Sequence, residues 1–297
     1  MDNDDLHVVN AFRVSEDVSL NFETVGLPEP DVGRDLLFLP GFADSIRVWD
    51  QVRALLQAEW PRQRACFLDL KGFGLSSKPP PPSDYRIREQ ARLVRAFILQ
   101  RGLRRPVLVA HSYGAAVALM TQVLWDELDP PAANPVTGIC LLGCPAYPQR
   151  FPIFIAVLRW PVIGPASLRF TTARFRARFV LRRVIVDQAK VTEARVRSHA
   201  GFYTLPGARQ AMVALAKQVV PDDLQDLVER YPLIRVPVQL VWGEQDCAIP
   251  LSSARRLQRD LPAATLDILP RCGHALHEER PELMWSILKR YLTDLGE

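Results

Sequence analysis

The chain has 297 residues, of which 48% are hydrophobic and 24% are charged; this balance is typical of a globular protein and excludes general disorder. The length is enough for one large α/β domain with an insertion or for two small domains. The net charge of +4 is modest and no recognised nucleic-acid-binding motif occurs, so we expect no nucleic-acid partner.

Cysteine usage and the first residues predict the compartment. The five cysteines are an odd number without a Cys-x-x-Cys pair, and they lie largely in apolar stretches, which favours reduced, buried thiols over a disulfide framework. Residues 1–5 are acidic, and no apolar segment of a signal peptide follows them. No uninterrupted apolar run reaches the roughly 18 residues of a spanning helix. The sequence therefore predicts a cytoplasmic protein.

Short apolar stretches that end in turns predict eight strands. The first two alternate apolar and polar side chains around a turn, which is typical of an antiparallel hairpin at a sheet edge. Helical spacing of apolar residues follows most of the later strands, so the sheet should be mostly parallel, with helices on both faces. We place the strands at residues 7–14, 18–24, 35–39, 65–68, from 107 to the turn at Ser112, 136–142, 236–242 and 265–269.

The alternation of strands and helices stops between about residues 147 and 231. This block contains amphipathic helical stretches separated by Pro and Gly, and no strand candidate. We therefore predict an α/β core in two parts, residues 1–146 and 232–297, and an all-helical cap at residues 147–231 inserted between the sixth and seventh strands.

The turn around Ser112 is the first candidate for chemistry. A β-branched run that begins at Val107 ends abruptly at this serine, and an Ala-rich helical stretch follows at once. A nucleophile elbow has this layout, since a strained strand-to-helix turn lifts a serine hydroxyl above the sheet. The residues two before and two after must be small, and here they are Ala110 and Gly114. The alternative is a buried strand followed by a helix whose serine caps its own N-terminus.

Further candidates follow other strands. Ligands of an open parallel sheet bind at the carboxyl ends of its strands. Asp246 and His274 come after the last two strands, so Ser112, Asp246 and His274 follow one another as nucleophile, acid and histidine. The backbone N–H groups of Phe42, after the third strand, and of Tyr113, after the elbow, are candidate donors of an oxyanion hole.

Two of these assignments have competitors nearby. Glu244 is a second candidate for the acid, but a short side chain at the far end of the loop favours Asp246. His277 is a second candidate for the histidine, but Gly273 lets the loop bring His274 inward. His111 is adjacent to Ser112, and we expect its side chain on the opposite side.

The motifs together resemble the α/β-hydrolase family over nearly the whole chain. The run Asp69-x-x-Gly72-x-Gly74-x-Ser76 resembles the family's segment after the fourth strand. The run Gly273-His274-x-x-His277-x-Glu279-x-Pro281 resembles the catalytic-histidine segment of its esterase and dehalogenase branches. The chain departs from the family at Pro40, where a histidine is usual, and at Ala110 in the elbow. Related haloalkane dehalogenases and epoxide hydrolases have an aspartate nucleophile where this chain has Ser112.

The resemblance implies a serine hydrolase that cleaves carboxylic esters through an acyl-enzyme, with Ser112, Asp246 and His274 as the triad and no metal or organic cofactor. Two alternatives stay open. One is a C–C bond hydrolase of the ring-cleavage-product type, against which stand the bare loop at Pro40-Gly41-Phe42 and Ala275, where that group typically has Trp. The other is a hydrolase-derived binding protein with an idle triad.

The predicted cap is basic and partly aromatic. Residues 151–200 contain nine Arg and one Lys against Asp187 and Glu193. One interpretation is a solvated helix that docks through an apolar face, on which helical spacing places Phe170, Ala173, Ala177, Leu181 and Val184. The other is a basic lid that meets an anionic membrane surface or substrate. The sequence leaves the oligomeric state open. Aromatic cap residues suggest a small-molecule ester with an apolar acyl or aryl portion, and core packing explains them equally: Phe151, Phe154, Trp160 and Phe170.

Overall fold

A computed structural model describes residues 10–26, 33–128 and 133–296 of the chain. Within them, eight strands form one sheet in the order β1-β2-β4-β3-β5-β6-β7-β8, in which the β1–β2 and β2–β4 pairs are antiparallel and the others parallel. The predicted fold class is therefore confirmed. The strands are β1 (Asn10–Arg13), β2 (Ser19–Val25), β3 (Leu36–Leu39), β4 (Ala65–Leu68), β5 (Val107–His111), β6 (Gly138–Leu142), β7 (Val238–Gly243) and β8 (Ala264–Leu269).

The strand boundaries differ only slightly from the predicted ones. Residues 7–9 of the first predicted strand lie outside the described residues. The strands predicted from residues 136 and 236 begin two residues later, at Gly138 and Val238. For β7 the reason is Pro237, which has no N–H to donate to a neighbouring strand.

Helices follow each strand from β3 to β8, and one block of helices lies between β6 and β7. That block consists of α4–α9, which we call the inserted helices. The helices are α1 (Asp50–Glu59), α2 (Ile87–Gln100), α3 (Tyr113–Leu128), α4 (Ile153–Arg159), α5 (Ile163–Phe170), α6 (Ala173–Val184), α7 (Glu193–Phe202), α8 (Ala208–Lys217), α9 (Leu224–Arg230), α10 (Leu251–Asp260), α11 (Leu276–Glu279) and α12 (Pro281–Asp294).

The central strands are apolar on both faces because helices cover both faces. Along β5, Leu108 and Ala110 belong to one apolar cluster together with residues of α2, α3 and α10. Val107 and Val109 belong to the opposite cluster, together with residues of α1 and α12. This period-two division of a continuous apolar strand is what a sheet buried between two helix layers requires.

The inserted helices have an apolar core of their own, which includes Leu158, Leu181 and Val196. One predicted feature of this block is wrong. The helical stripe that the sequence predicts from Phe170 to Val184 loses its first member, because the helix breaks at Thr171 and Thr172. Phe170 belongs to α5 and is 81% exposed, whereas on α6 Ala177, Leu181 and Val184 are buried and Ala173 is half-buried.

No single helix among the described residues has the length and apolarity to cross a membrane. The five cysteines are free thiols, and all except the exposed Cys247 are buried. The buried ones lie in the apolar interior, as the sequence predicts.

The turn that carries Ser112 depends on very close packing. Ser112 has a left-handed backbone with φ 49°, which is rare for a residue with a Cβ, and its N–H donates to Leu142 O at 2.8 Å. Its carbonyl accepts from the N–H groups of Ala115 and Ala116, so α3 begins at once. Two residues on, a Cβ at Gly114 would clash with the Pro40 carbonyl and lie 2.8 Å from the Leu39 carbonyl.

A buried carboxylate holds the neighbouring loops in place. Asp69, after β4, accepts from the Ile46 N–H at 2.8 Å, the Asn21 side-chain amide at 2.7 Å and the Leu75 N–H at 2.8 Å. Burial raises the pKa of this carboxyl. Asp69 therefore joins β2 to the loops after β3 and β4, which supports the loop that bears Phe42.

We expect Gly114→Ala to destabilise the fold by about 1–3 kcal/mol, because the new methyl group meets backbone carbonyls that cannot move alone. Gly201→Ala is the matched control, since nothing lies within 4 Å of a Cβ at that position of α7. Alanine there should be neutral or stabilising by up to about 1 kcal/mol. Urea unfolding measures both; equal free energies of unfolding for the two variants would contradict the close approach.

Candidate active site

Three side chains from three loops meet at the carboxyl ends of the strands. His274 Nε2 lies 2.8 Å from Ser112 Oγ, and His274 Nδ1 lies 2.8 Å from Asp246 Oδ2. A neutral imidazole with its proton on Nδ1 satisfies both contacts, since it donates to Asp246 and accepts from the serine hydroxyl. The structure thus brings together the three residues that the sequence singles out.

Asp246 is held so that one of its oxygens faces the histidine. Its side chain is fully buried, and its Oδ1 accepts from the N–H groups of Ala248 and Ile249, both at 2.8 Å. Burial acts to raise the pKa of this carboxyl, but the electrostatic interaction and hydrogen bond with His274 and the two N–H donors outweigh it and lower the pKa. Asp246 is therefore an ionised acceptor for the Nδ1–H of His274.

The competing residues lie elsewhere. Glu244 is exposed, and its carboxylate accepts from the Arg271 N–H at 3.2 Å. His277 is fully buried, with its ring 4.5 Å from that of Trp49, and neither ring nitrogen has a hydrogen-bond partner within the described chain. Burial holds the pKa of His277 well below its usual value, so the ring is neutral. Neither residue takes the place of Asp246 or His274.

The two predicted oxyanion donors line the same cavity as Ser112 and His274. Tyr113 is the first residue of α3, and Phe42 lies in the loop after β3. Neither backbone N–H donates to another group of the described residues. Both are therefore available to a ligand, and the N-terminus of α3 favours negative charge there.

The predicted position of His111 is wrong. Its ring lies 4.8 Å from that of His274, and its Nε2 donates to the His274 carbonyl at 3.0 Å. Strand alternation ends at Ser112, whose backbone is left-handed. The His111 ring and the Ser112 hydroxyl therefore both reach the loop of His274. Burial and the nearby His274 lower the pKa of His111 to about 3, so the ring is neutral. His111 thus supports the loop that bears His274.

The loop that bears His274 is also hydrogen-bonded to the segment after α6. The His274 N–H donates to the Val184 carbonyl at 2.8 Å, and a Cβ at Gly273 would clash with that carbonyl. Glu279 accepts from the Gly273 N–H at 2.9 Å and from the Asp187 N–H at 2.8 Å. Glycine is needed at 273 because the inserted segment approaches so closely, which the sequence alone does not reveal.

Sequence analysis also missed a buried ionic cluster in this cavity. His199, on α7, lies with Nδ1 3.0 Å from Asp44 and Nε2 3.2 Å from Glu278, and Arg195 lies 3.2 Å from Glu278. Burial acts to lower the pKa of His199, but the carboxylates of Glu278 and Asp44 outweigh it and raise the pKa to about 10. In the sequence, Asp44 follows Phe42 by two residues and Glu278 follows His277 directly. No local pattern connects either carboxylate with His199.

The cavity above Ser112 has a volume of about 90 Å³ and is mostly apolar. Phe151 and Phe154 line it, whereas Trp160 and Phe170, the other two aromatic residues predicted for it, are exposed. No group of three or more His, Cys, Asp or Glu side chains in the described part of the chain is arranged to hold a metal ion.

Comparisons with known proteins find relatives in sequence and in fold. The uncharacterized hydrolase YugF of Bacillus subtilis is 26% identical over 250 residues, which cover 84% of this chain and 86% of that protein. A thermophilic esterase from Thermogutta terrifontis has a similar structure, with a TM-score of 0.75, 19% identity and coverage of 97% and 98% of the two chains. A meta-cleavage product hydrolase from Pseudomonas fluorescens IP01 has the same TM-score of 0.75, with 17% identity and coverage of 94% and 96%.

The structural likenesses show a shared fold. The sequence comparison goes further, because the model of the Alpha/beta hydrolase family matches residues 36–286, which include every strand from β3 to β8 and the three residues of the hydrogen-bonded chain. The protein therefore belongs to the alpha/beta hydrolase family.

Proposed function

We propose that the protein is a serine hydrolase that cleaves carboxylic esters through an acyl-enzyme. The observation that carries this proposal is the unbroken chain of 2.8 Å contacts from Ser112 through His274 to Asp246. A neutral imidazole beside a serine hydroxyl can accept its proton, and a buried carboxylate on the far nitrogen stabilises the imidazolium that forms.

The reaction takes two stages. Ser112 Oγ attacks the ester carbonyl while its proton passes to His274 Nε2, and the N–H groups of Phe42 and Tyr113 stabilise the oxyanion. The tetrahedral intermediate collapses, and the C–O bond to the alcohol breaks as His274 returns the proton to the leaving oxygen. Water then attacks the acyl-enzyme with His274 as base, which releases the acid and restores Ser112.

The cavity favours a substrate with an apolar portion. Its lining includes Phe151, which lies two residues before α4, and Phe154 and Leu181 of the inserted helices. Apolar walls around a few polar groups are typical of small-molecule sites. We therefore infer a small-molecule ester with an apolar acyl or aryl group.

Residues 147–231 act in this proposal as a cap domain on a core of residues 1–146 and 232–297. The Val184 carbonyl and the Glu279 carboxylate connect this block to the loop of His274. His199 connects α7 to Asp44 and Glu278 of the core. The cap therefore shapes the pocket and also positions the histidine.

We expect Ser112→Ala to lower kcat on a soluble p-nitrophenyl ester by about 10⁴-fold or more, because it removes the nucleophile. The fold should persist, since only one hydroxyl is lost. A fluorophosphonate probe should label the parent protein and leave the variant unlabelled. A parent protein that is unlabelled and inactive on esters would favour a non-catalytic binding protein, and turnover confined to ring-cleavage products would favour a C–C hydrolase.

Asp246→Asn should lower kcat by roughly 10⁴-fold. Its Oδ1 must still accept from Ala248 and Ile249, so the new amide points at His274 and favours the wrong tautomer. Glu244→Gln is the matched control and should have little effect, because Glu244 is exposed. Steady-state kinetics on the same ester compares them, and the reverse ranking would assign the acid to Glu244.

Because His199 is charged in the folded protein, we expect the stability of the fold to depend on pH. The ordinary pKa of 6.5 applies in the unfolded chain and a value of about 10 in the folded one, so the stabilisation is complete below pH 6.5 and is lost as pH rises towards 10. We expect His199→Gln to remove part of this fall in the free energy of unfolding with rising pH, on the order of 1 kcal/mol per pH unit at most. Urea unfolding between these pH values measures it. Identical pH slopes for parent and variant would contradict the charged pairing.

A further inference from the structure

The inserted helices carry an unusual concentration of exposed apolar side chains. All four exposed aromatic side chains of the described residues lie here. They are Trp160 (61% exposed), Phe170 (81%), Phe175 (58%) and Phe179 (36%). Eight of the fifteen large apolar side chains that are exposed in the described structure fall between residues 153 and 186. Exposed apolar clusters of this kind mark interaction sites.

Unpaired arginines stand close to these aromatic residues along the chain. Arg169, Arg174 and Arg182 are exposed, and none forms an ion pair with a described residue. The Arg183 guanidinium lies 4.9 Å from the centre of the Phe179 ring. The acidic residues of this region are engaged, since Glu193 pairs with Arg178 and Asp187 caps the turn that follows it. The surface is therefore apolar and strongly positive, which suits an anionic, apolar partner.

A groove on this surface lies next to the cavity above Ser112. It has a volume of about 210 Å³, and its outer residues include Ile153, Phe175 and Phe179. Four residues line both the groove and the cavity above Ser112: Phe42, Phe154, Val180 and Tyr203. The groove and the cavity therefore share a wall, and an apolar chain that lies in the groove comes next to the cavity of Ser112.

We propose that the surface of α4–α6 docks on an anionic phospholipid bilayer, and that the groove takes an acyl chain from the bilayer to Ser112. The docking stands on the exposed side chains, while the role of the groove rests on the proposed ester hydrolysis. Aromatic and apolar side chains interleaved with arginines are suited to the boundary between headgroups and acyl chains. The junction of α4 and α5, where the chain bends by 116°, presents Trp160, Val162 and Ile163 to that boundary.

A bilayer explains these features better than an acidic protein does. A protein partner would account for the arginines, but not for an apolar groove on the same surface that adjoins the cavity of Ser112. A lipid supplies both chemistries in one molecule, because its headgroup is anionic and its chain is apolar. The substrate class that follows is an ester of a long acyl chain presented in a membrane.

The test measures binding separately from catalysis. The Ser112→Ala protein is mixed with vesicles of phosphatidylcholine, or of equal parts phosphatidylcholine and phosphatidylglycerol, and the bound fraction is measured by flotation. We expect binding to the anionic vesicles only. Raising the salt to 1 M, where the Debye length is about 3 Å, should release the protein.

Substitutions in the same background locate the surface. Gln at Arg169, Arg174 and Arg182 together should weaken binding by roughly 100-fold, or about fivefold for each arginine. The matched control replaces three exposed arginines outside the inserted helices by Gln and should bind as the parent does: Arg235, Arg255 and Arg259.

Apolar insertion is tested in the same way. Ser at Trp160 and Phe170 should weaken binding by about tenfold or more, whereas Ser at the exposed Leu99 and Leu233 should not. Absence of binding to anionic vesicles, or equal losses in the matched variants, would overturn the docking proposal and leave an acidic protein as the partner to seek.

Activity separates this proposal from the proposed function. With Ser112 restored, the arginine variant should lose activity on vesicle-borne esters of long acyl chains and keep it on a soluble p-nitrophenyl ester. Vesicle binding without any esterase activity would refute ester hydrolysis and leave the docking intact. Esterase activity without vesicle binding would do the opposite.

Discussion

The strained turn at Ser112 is the constraint on which the rest of the site depends. A left-handed residue with a Cβ costs free energy, and it persists only where the surroundings over-determine it. Here the Leu142 carbonyl accepts its N–H, and the Pro40 carbonyl presses on Gly114 from the other side. The same contact that maintains the turn places the loop of Phe42 beside the N-terminus of α3. Ser112 and the two proposed oxyanion donors are therefore parts of one packed unit.

The histidine side of the site depends on the insertion. The loop of His274 is held at its N–H by the Val184 carbonyl and through Gly273 by Glu279, which also accepts from the segment after α6. His111 supports the same loop from the core through the His274 carbonyl. The inserted helices thus help to hold His274 in place as well as line the cavity, and a shift of α6 would move the imidazole.

Charge is distributed differently inside and outside the inserted helices. At the wall of the cavity, the buried His199 and Arg195 are paired with Asp44 and Glu278, because unpaired charges are costly when buried. On the outer surface, Arg169 and Arg174 are exposed to water beside exposed aromatic side chains. The inner cluster connects insertion and core, whereas the outer charges remain available to a partner.

The sequence by itself determined what depends on neighbours along the chain. Apolar periodicity predicted the sheet, its antiparallel edge and the helical insertion, and position after a strand predicted that Ser112, Asp246 and His274 would meet, since parallel strands end at one edge. Only the tertiary structure decided contacts between distant segments. The placing of His199 between Asp44 and Glu278, the turning of His111 towards His274, and the exposure of Phe170 all depend on how the inserted helices pack. No local pattern encodes that packing, because its partners lie far apart in the chain.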